Sequence, residues 1–278
     1  MPMAYNDQQK PMRKRQARLT VTDKAIIKRI GFYGFQTYPE LRSTVLQAKS
    51  RAHTWVILKR LVRFKLLLEH RGDNFGILGW TLTPKAKQYQ FLEDINIVAP
   101  IKAKPLYRTS FRHDLILREV QSIVCKSSIV SDWKTERYIR AEKFSENPYL
   151  AKSQNREMLC VPDAIFYVET DKNEWTFALE LELTLKSHAR LRKKFEKQLT
   201  SPDYHVVLYV VANEELIEKL ENALDETEEK SLKVRVARNK NKIFFSTLEN
   251  LRQHKLDARF NRDDTHLSFN KLQKRDED

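Results

Sequence analysis

Val161-Pro162-Asp163-Ala164-Ile165-Phe166-Tyr167-Val168, then a polar break at Asp171-Lys172-Asn173-Glu174, then Trp175 to Leu185 with Glu180-Leu181-Glu182-Leu183-Thr184 inside it, is the stretch that decides the fold. Two β-rich runs around a short polar loop predict an antiparallel hairpin. A loop centred between Lys172 and Asn173 puts Asp163 opposite Glu182 and Ile165 opposite Glu180, with all three acids on one face. Like charges directly opposed in a sheet destabilise it. A divalent cation, Mg²⁺ or Mn²⁺, offsets such a cluster, because hard carboxylate oxygens are its preferred ligands. Alternation alone fits an amphipathic strand with a solvated acidic face equally well. The aspartate placed across from glutamate, a poor strand former, favours a site.

The segments on either side extend this hairpin into an α/β layer. Downstream, Ser187 caps a helix with Leu191, Phe195 and Leu199 inward and Arg190, Arg192, Lys193, Lys194 and Lys197 outward. It leads to the apolar run His205-Val206-Val207-Leu208-Tyr209-Val210-Val211, the pattern of a strand covered on both faces. A strand, a crossover helix and a buried strand make a βαβ unit. Upstream, a helix is predicted over 112–127, with Leu115, Ile116, Val120, Ile123 and Val124 inward, then a strand over 133–139 and a polar, aperiodic segment over 141–157. A further helix capped by Asn213 carries Leu216, Ile217, Leu220 and Leu224. Strand-like runs follow at 232–237 and 242–246, and from Lys255 the chain reads as a polar, disordered tail.

The N-terminal part has a different character. The chain carries 51 Lys and Arg against 37 Asp and Glu. The first 110 residues hold 21 of the basic and 7 of the acidic ones, leaving 30 of each for the remainder. A charge excess confined to one segment points to a polyanionic partner there. Residues 1–20 read as a basic arm and 98–110, with Pro100, Pro105, Lys102 and Lys104, as a linker. Between them, a first helix is predicted from Thr22, capped by Thr22 or Asp23, with Ile26, Ile27 and Ile30 inward. A second follows with Pro39 at its first position, and a third is capped by Ser50 with Ile57, Leu58, Leu61 and Val62 inward. A strand over 66–69, a turn at 71–74 and a returning strand over 76–82 complete the order of a winged helix. In such modules one helix enters the major groove and flanking basic groups hold phosphates. The candidate DNA contacts are Arg51, His53, Lys59, Arg60, Arg63 and Arg71.

Several function classes lose support. Cys125 and Cys160 lie far apart without metal-ligand spacing and read as buried small hydrophobes. Only five glycines occur and none forms a phosphate loop. No apolar run approaches the roughly 18–20 residues of a membrane span, and no signal-type segment follows the N-terminal basic residues, so the expectation is a cytoplasmic protein without membrane insertion.

The order of helix, Pro162-Asp163 on one strand, Glu180-Leu181-Glu182 with nearby Lys186 on the next, helix and strand resembles the PD-(D/E)XK nuclease core. Together with the N-terminal module it is similar to the replication-relaxation proteins and to plasmid mobilisation relaxases of the MobC type. That resemblance implies an α/β chain with an N-terminal winged helix-turn-helix domain (21–97) and a restriction-endonuclease-like domain (111–254), followed by the tail (255–278). It implies Asp163, Glu180 and Glu182 as metal ligands and catalytic carboxylates, with Lys186 as catalytic lysine and Glu119 and Gln198 as auxiliary polar residues. The implied activity is metal-dependent nicking of double-stranded DNA at a plasmid transfer origin, with an accessory mobilisation protein and a coupling protein as partners. The sequence departs from the family pattern in one respect: the second position after each glutamate holds Glu182 and Thr184 instead of lysine. The alternative is a plasmid replication or transcription regulator with a catalytically inactive core.

Overall fold

Thr20 accepts a hydrogen bond from the Asp23 backbone N–H while the Asp23 carboxylate accepts one from the Thr20 N–H, a capping box that opens α1 (Val21–Tyr33). The cap therefore lies two residues before the expected start. The structure, a computed structural model, describes residues 18–71, 77–88, 108–146, 161–170, 173–231 and 242–274. Residues 1–17 of the arm, 98–107 of the linker, the turn at 72–74, the strand expected at 232–237 and Cys160 lie outside the described residues. The chain divides into two compact units, residues 1–95 with 100–103, and residues 96–99 with 104–278.

In the first unit, α1 ends at Gly34, whose φ of 77° is the left-handed conformation that suits glycine. A second capping box, Thr37 with Glu40, starts α2 (Tyr38–Thr44), and Ser50 caps α3 (Arg51–Arg63). The hairpin β1 (Leu67–Arg71) and β2 (Ile77–Leu82) is antiparallel, and Gln36 bridges to Trp80 through paired backbone hydrogen bonds of 3.0 and 2.9 Å. That bridge brings the chain so close that a Cβ on Gly79 would sit 2.3 Å from the Gln36 carbonyl oxygen. Ile26, Ile27, Ile30, Phe35, Leu58, Leu61 and Trp80 are fully buried.

Asp23 has a second role here. Its buried carboxylate also takes two hydrogen bonds from Arg60 of α3, at 2.6 and 2.7 Å. Arg60, expected on DNA, is thus engaged inside the unit, because its position along α3 brings it beside the start of α1. Arg71 is exposed and bonds Glu69 of its own strand. Arg51, His53, Lys59 and Arg63 are exposed.

The second unit is a mixed α/β layer around a seven-stranded sheet of order β3-β4-β5-β6-β7-β8-β9. Its strands are β3 (Val130–Thr135), β4 (Ala164–Glu169), β5 (Glu174–Glu182), β6 (Val206–Val211), β7 (Ile243–Thr247), β8 (Phe260–Arg262) and β9 (Thr265–Leu267). Pairing is antiparallel from β3 to β5, parallel from β5 to β7, and antiparallel again to β9. Its longer helices are α4 (Arg108–Val124), α5 (Glu136–Glu146), α6 (His188–Thr200) and α7 (Glu214–Lys230), and two short ones, α8 (Leu248–His254) and α9 (Phe269–Lys274), follow β7. One core lies between the sheet and Ile116, Val120 and Val124 of α4, with Leu251, Phe260 and Phe269. The other gathers Leu191, Phe195 and Leu199 of α6 and Leu216, Leu220 and Leu224 of α7 around Tyr209 and Phe245.

Four expectations are corrected. Helix α4 begins at Arg108, inside the expected linker. The strand expected over 133–139 ends at Thr135, and Glu136, tied by its side chain to Arg140, starts α5, which runs into the segment read as aperiodic. Cys125 is exposed, since it falls just past the inward stripe of α4. Most consequentially, residues 255–274 are no tail: they supply two strands of the sheet, and Phe260 and Phe269 are buried in the first core. Their polarity misleads because two aromatics carry the burial. Among the described residues no helix is long and apolar enough to cross a membrane.

Two outcomes are expected. Phe269→Ala should lower the unfolding free energy in urea by about 3–5 kcal/mol, the usual cost of removing a buried phenylalanine, whereas a disordered tail would give no change. Arg60→Ala should lower the thermal midpoint of the first unit by several degrees, while Arg51→Ala and Lys59→Ala, on the exposed face, leave it within a few degrees.

Candidate active site

The β4–β5 hairpin is tighter than its composition predicts. Thr170 and Asn173 close it by reciprocal backbone hydrogen bonds of 2.9 and 3.2 Å, leaving two residues between them. The hairpin centre moves back by one residue and the register by two. Ala164 pairs with Leu179 and Ile165 with Ala178. The expected pairings of Asp163 with Glu182 and of Ile165 with Glu180 are thereby corrected: Asp163, just before β4, comes across from Glu180. A shift of two keeps every side chain on its expected face.

Leu179 and Leu181 of β5 enter the first core, so Glu180 and Glu182 point to the other face, toward α6. Both are buried at 3% exposure. Helix α6 is rotated so that its inward stripe reads Leu191, Lys194, Phe195, Gln198 and Leu199. Lys194, expected outward, extends into the site and sets its Nζ 2.8 Å from Glu180 Oε2 and 5.3 Å from the centre of the Tyr209 ring. Gln198 donates from Nε2 to Glu180 Oε1 at 2.7 Å and accepts from the Tyr209 hydroxyl at 2.7 Å. Glu180 is thus held at both oxygens.

Asp163 is anchored separately. The Leu181 N–H donates to its Oδ2 at 2.8 Å, and His113 Nε2 of α4 stands 3.3 Å from the same oxygen and 3.1 Å from the Leu181 carbonyl oxygen. Glu182 pairs with Lys186, from the segment between β5 and α6. Glu119 takes two 2.8 Å hydrogen bonds from Arg252, an ion pair on the partly exposed side of α4 that the structure does not bring to the cluster. Of the residues named from the sequence, the structure therefore brings Asp163, Glu180, Glu182, Gln198 and Lys186 to one end of β5.

Electrostatics separates the two central carboxyls. Burial pushes Glu180 up to about 7, a rise that Lys194 restrains and the charge on Asp163 adds to. Burial works against the charge on Asp163 too. There the hydrogen bond from His113, the charges of His113 and Lys194 and the Leu181 N–H outweigh it, and its pKa falls below the usual carboxylate value. His113 is disfavoured as a cation by burial but raised to about 10 by its contacts with Asp114 and Asp163. Lys194 is raised well above the ordinary lysine value, because the charges of Glu180, Tyr209 and Asp163 outweigh its burial.

His113 and Lys194 were legible in hindsight. His113 precedes Ile116 and Val120 by three and seven residues, and Lys194 follows Leu191 by three, so both share the buried stripe of their helices. Assigning every lysine of α6 to solvent concealed this.

As a metal site, the donor set fits in a reduced form. Among the described residues no three His, Cys, Asp or Glu side chains converge on a point that could hold an ion. Asp163 and Glu180 remain as neighbouring hard donors, and Mg²⁺ commonly takes only one or two carboxylates, retaining waters and sharing substrate phosphate.

The Glu180–Lys194 pair has a pH signature. Glu180 rises from 4.5 unfolded to about 7 folded, so the native state binds the extra proton and wild-type stability falls as pH climbs through that window. Lys194 limits the fall. Lys194→Met should cost about 1 kcal/mol more at pH 8, where wild-type Glu180 is ionised and paired with its cation, than at pH 5, where Glu180 is protonated with or without Lys194. Urea unfolding at both pH values checks this, and an equal loss at both would contradict the pairing.

No family model matches the sequence, and no curated protein sequence matches it. Among solved structures, one similar chain is "structure of restriction endonuclease FokI bound to DNA", at 10% identity and a TM-score of 0.23. The match covers 87% of this chain and 49% of that one, so this chain spans about half the length of FokI. A likeness at that score carries no conclusion about fold or chemistry.

Proposed function

We propose that the chain is a DNA-binding nuclease, in which a first unit of winged-helix type holds double-stranded DNA and a second unit of PD-(D/E)XK type cleaves one strand. The observation that supports cleavage is the opposite displacement of two neighbouring carboxyls, Asp163 held ionised and Glu180 able to carry a proton up to about pH 7, beside a lysine held charged. Burying such groups costs several kcal/mol that apolar residues of the same size would not. Split pKa values in a buried pair are the usual mark of acid and base roles.

Asp163, and Glu180 once it has given up its proton, are the residues that would hold Mg²⁺ or Mn²⁺, which when bound would supply Lewis-acid polarisation of the phosphodiester and lower the pKa of a bound water. His113 and the Leu181 N–H keep Asp163 ionised and fixed. Gln198, itself oriented by Tyr209, sets the Glu180 carboxylate plane. Lys194 offers its charge to the phosphoryl oxygens as negative charge grows on them, the role that the family resemblance implied for Lys186. Lys186 instead neutralises Glu182 at the edge of the cluster.

The resemblance to replication-relaxation and MobC-type proteins supplies the finer reading: nicking at a transfer origin in the cytoplasm during conjugative mobilisation, with accessory mobilisation and coupling proteins as partners. One observation favours the regulator alternative, since every carboxylate of the cluster already has a basic partner within the chain.

Supercoiled plasmid carrying a transfer origin separates the two. Wild type should nick it in Mg²⁺ and not in EDTA. Asp163→Asn and Lys194→Ala should abolish nicking while filter binding of DNA persists, and Lys186→Ala should keep most of the activity. Tight binding by wild type with no nicking in either Mg²⁺ or Mn²⁺ assigns the regulator role instead.

A further inference from the structure

The exposed face of α3 is not uniformly basic. Viewed along its axis, Ala52, Val56, Lys59 and Arg63 form one stripe at spacings of four, three and four residues, opposite the buried Thr54, Ile57, Leu58 and Leu61. The stripe is divided along its length: its N-terminal half presents only the methyl groups of Ala52 and Val56, and its C-terminal half presents two cations. Val56 is 62% exposed, second only to Val21 among the four exposed large hydrophobic residues of the described chain. Arg51 lies to one side of the pair and His53 to the other, both exposed.

A single exposed valine is ordinary on a protein surface. Here it occupies the middle of the outward face of a helix that also exposes Arg51, Lys59 and Arg63, in the segment that holds the chain's entire charge excess. Short side chains at 52 and 56 allow the helix backbone to approach a base-pair edge that lysine or arginine would hold at a distance. In the major groove the one apolar group on a base edge is the C5 methyl of thymine, and alanine-like and other apolar side chains are its usual partners. Flanking Arg51, Lys59 and Arg63 suit the phosphates on either side of the groove.

We infer that Val56, assisted by Ala52, is a specificity-determining residue that reads thymine methyl groups in the major groove of double-stranded DNA. This rests on the proposed DNA-binding role of the first unit and adds to it which helix face meets the bases, which half of the helix enters the groove, and which base it selects. Lys59 and Arg63 set affinity through phosphates, and Val56 sets sequence preference.

The test uses the full chain and a random pool of synthetic duplexes, from which the best-bound sequence is selected at moderate salt. That duplex is then made with thymine and, one position at a time, with deoxyuracil, which removes the methyl and leaves the O4 acceptor unchanged. For wild type, binding should weaken about fourfold at a contacted position, the value of one methyl removed from water. Val56→Ser should bind the thymine and deoxyuracil duplexes equally while its thermal midpoint stays at the wild-type value. The comparison of all four combinations removes any effect of deoxyuracil on DNA shape itself. Equal binding of both duplexes by wild type at every position, with selection successful, overturns the reading by Val56 and leaves DNA binding intact. If wild type binds no duplex from the pool, the DNA-binding role fails and this inference with it.

Discussion

The Glu180–Lys194 contact is the constraint on which the second unit depends. Strand β5 is central, paired on one side to β4 and on the other to β6, so its glutamates are carried into the sheet whether or not their charge is welcome. Burying an unpaired carboxylate there would cost more than the few kcal/mol that separate folded from unfolded chains. The helix that covers this face must therefore bring a cation and a hydrogen-bond donor. Lys194 and Gln198, one turn apart on α6, do so, and Tyr209 on the neighbouring strand fixes Gln198 in turn. The rotation of α6 about its axis is thus set as much by charge as by Leu191, Phe195 and Leu199.

The first unit solves a smaller version of the same problem with one residue. Asp23 closes the N-terminus of α1 and holds Arg60 of α3, so the capping box and the helix–helix contact share a carboxylate. Fixing Arg60 at that end fixes which side of α3 faces outward. The outward stripe of Ala52, Val56, Lys59 and Arg63 is then a consequence of packing, and its chemistry is free to serve a ligand.

Much of this was legible in the residues. The three helices and hairpin of the first unit, the strand pair around Asp163, the crossover helix and the buried run of β6 follow from spacing, although the caps of α1 and α2 are Thr20 and Thr37. What was not legible has physical causes. Hairpin register depends on where the turn closes, and the Thr170–Asn173 pair is set by backbone hydrogen bonds that composition does not announce. The last strands and helix were hidden because Leu256, Phe260, Leu267, Phe269 and Leu272 are scattered among polar residues without a regular period. His113 and Lys194 were missed because a charged residue on an apolar stripe reads as an error in the stripe. In both cases the periodicity was right and the assumption that charge goes to solvent was wrong.

Opposed acids do require compensation, and the chain supplies it from three directions, His113 from α4, Lys194 from α6 and Lys186 from the segment after β5. Compensation alone, however, would leave all three carboxyls alike, whereas Asp163 is stabilised as an anion and Glu180 as an acid. That difference arises because Asp163 receives a backbone N–H and a charged imidazole, while Glu180 is the more deeply buried of the two and lies in the field of Asp163. A centre built this way still repels phosphate less than three free carboxylates would. The whole charge excess lies in the first 110 residues, so the second unit, with 30 basic and 30 acidic residues beyond that point, keeps its charge balanced by internal pairs such as these.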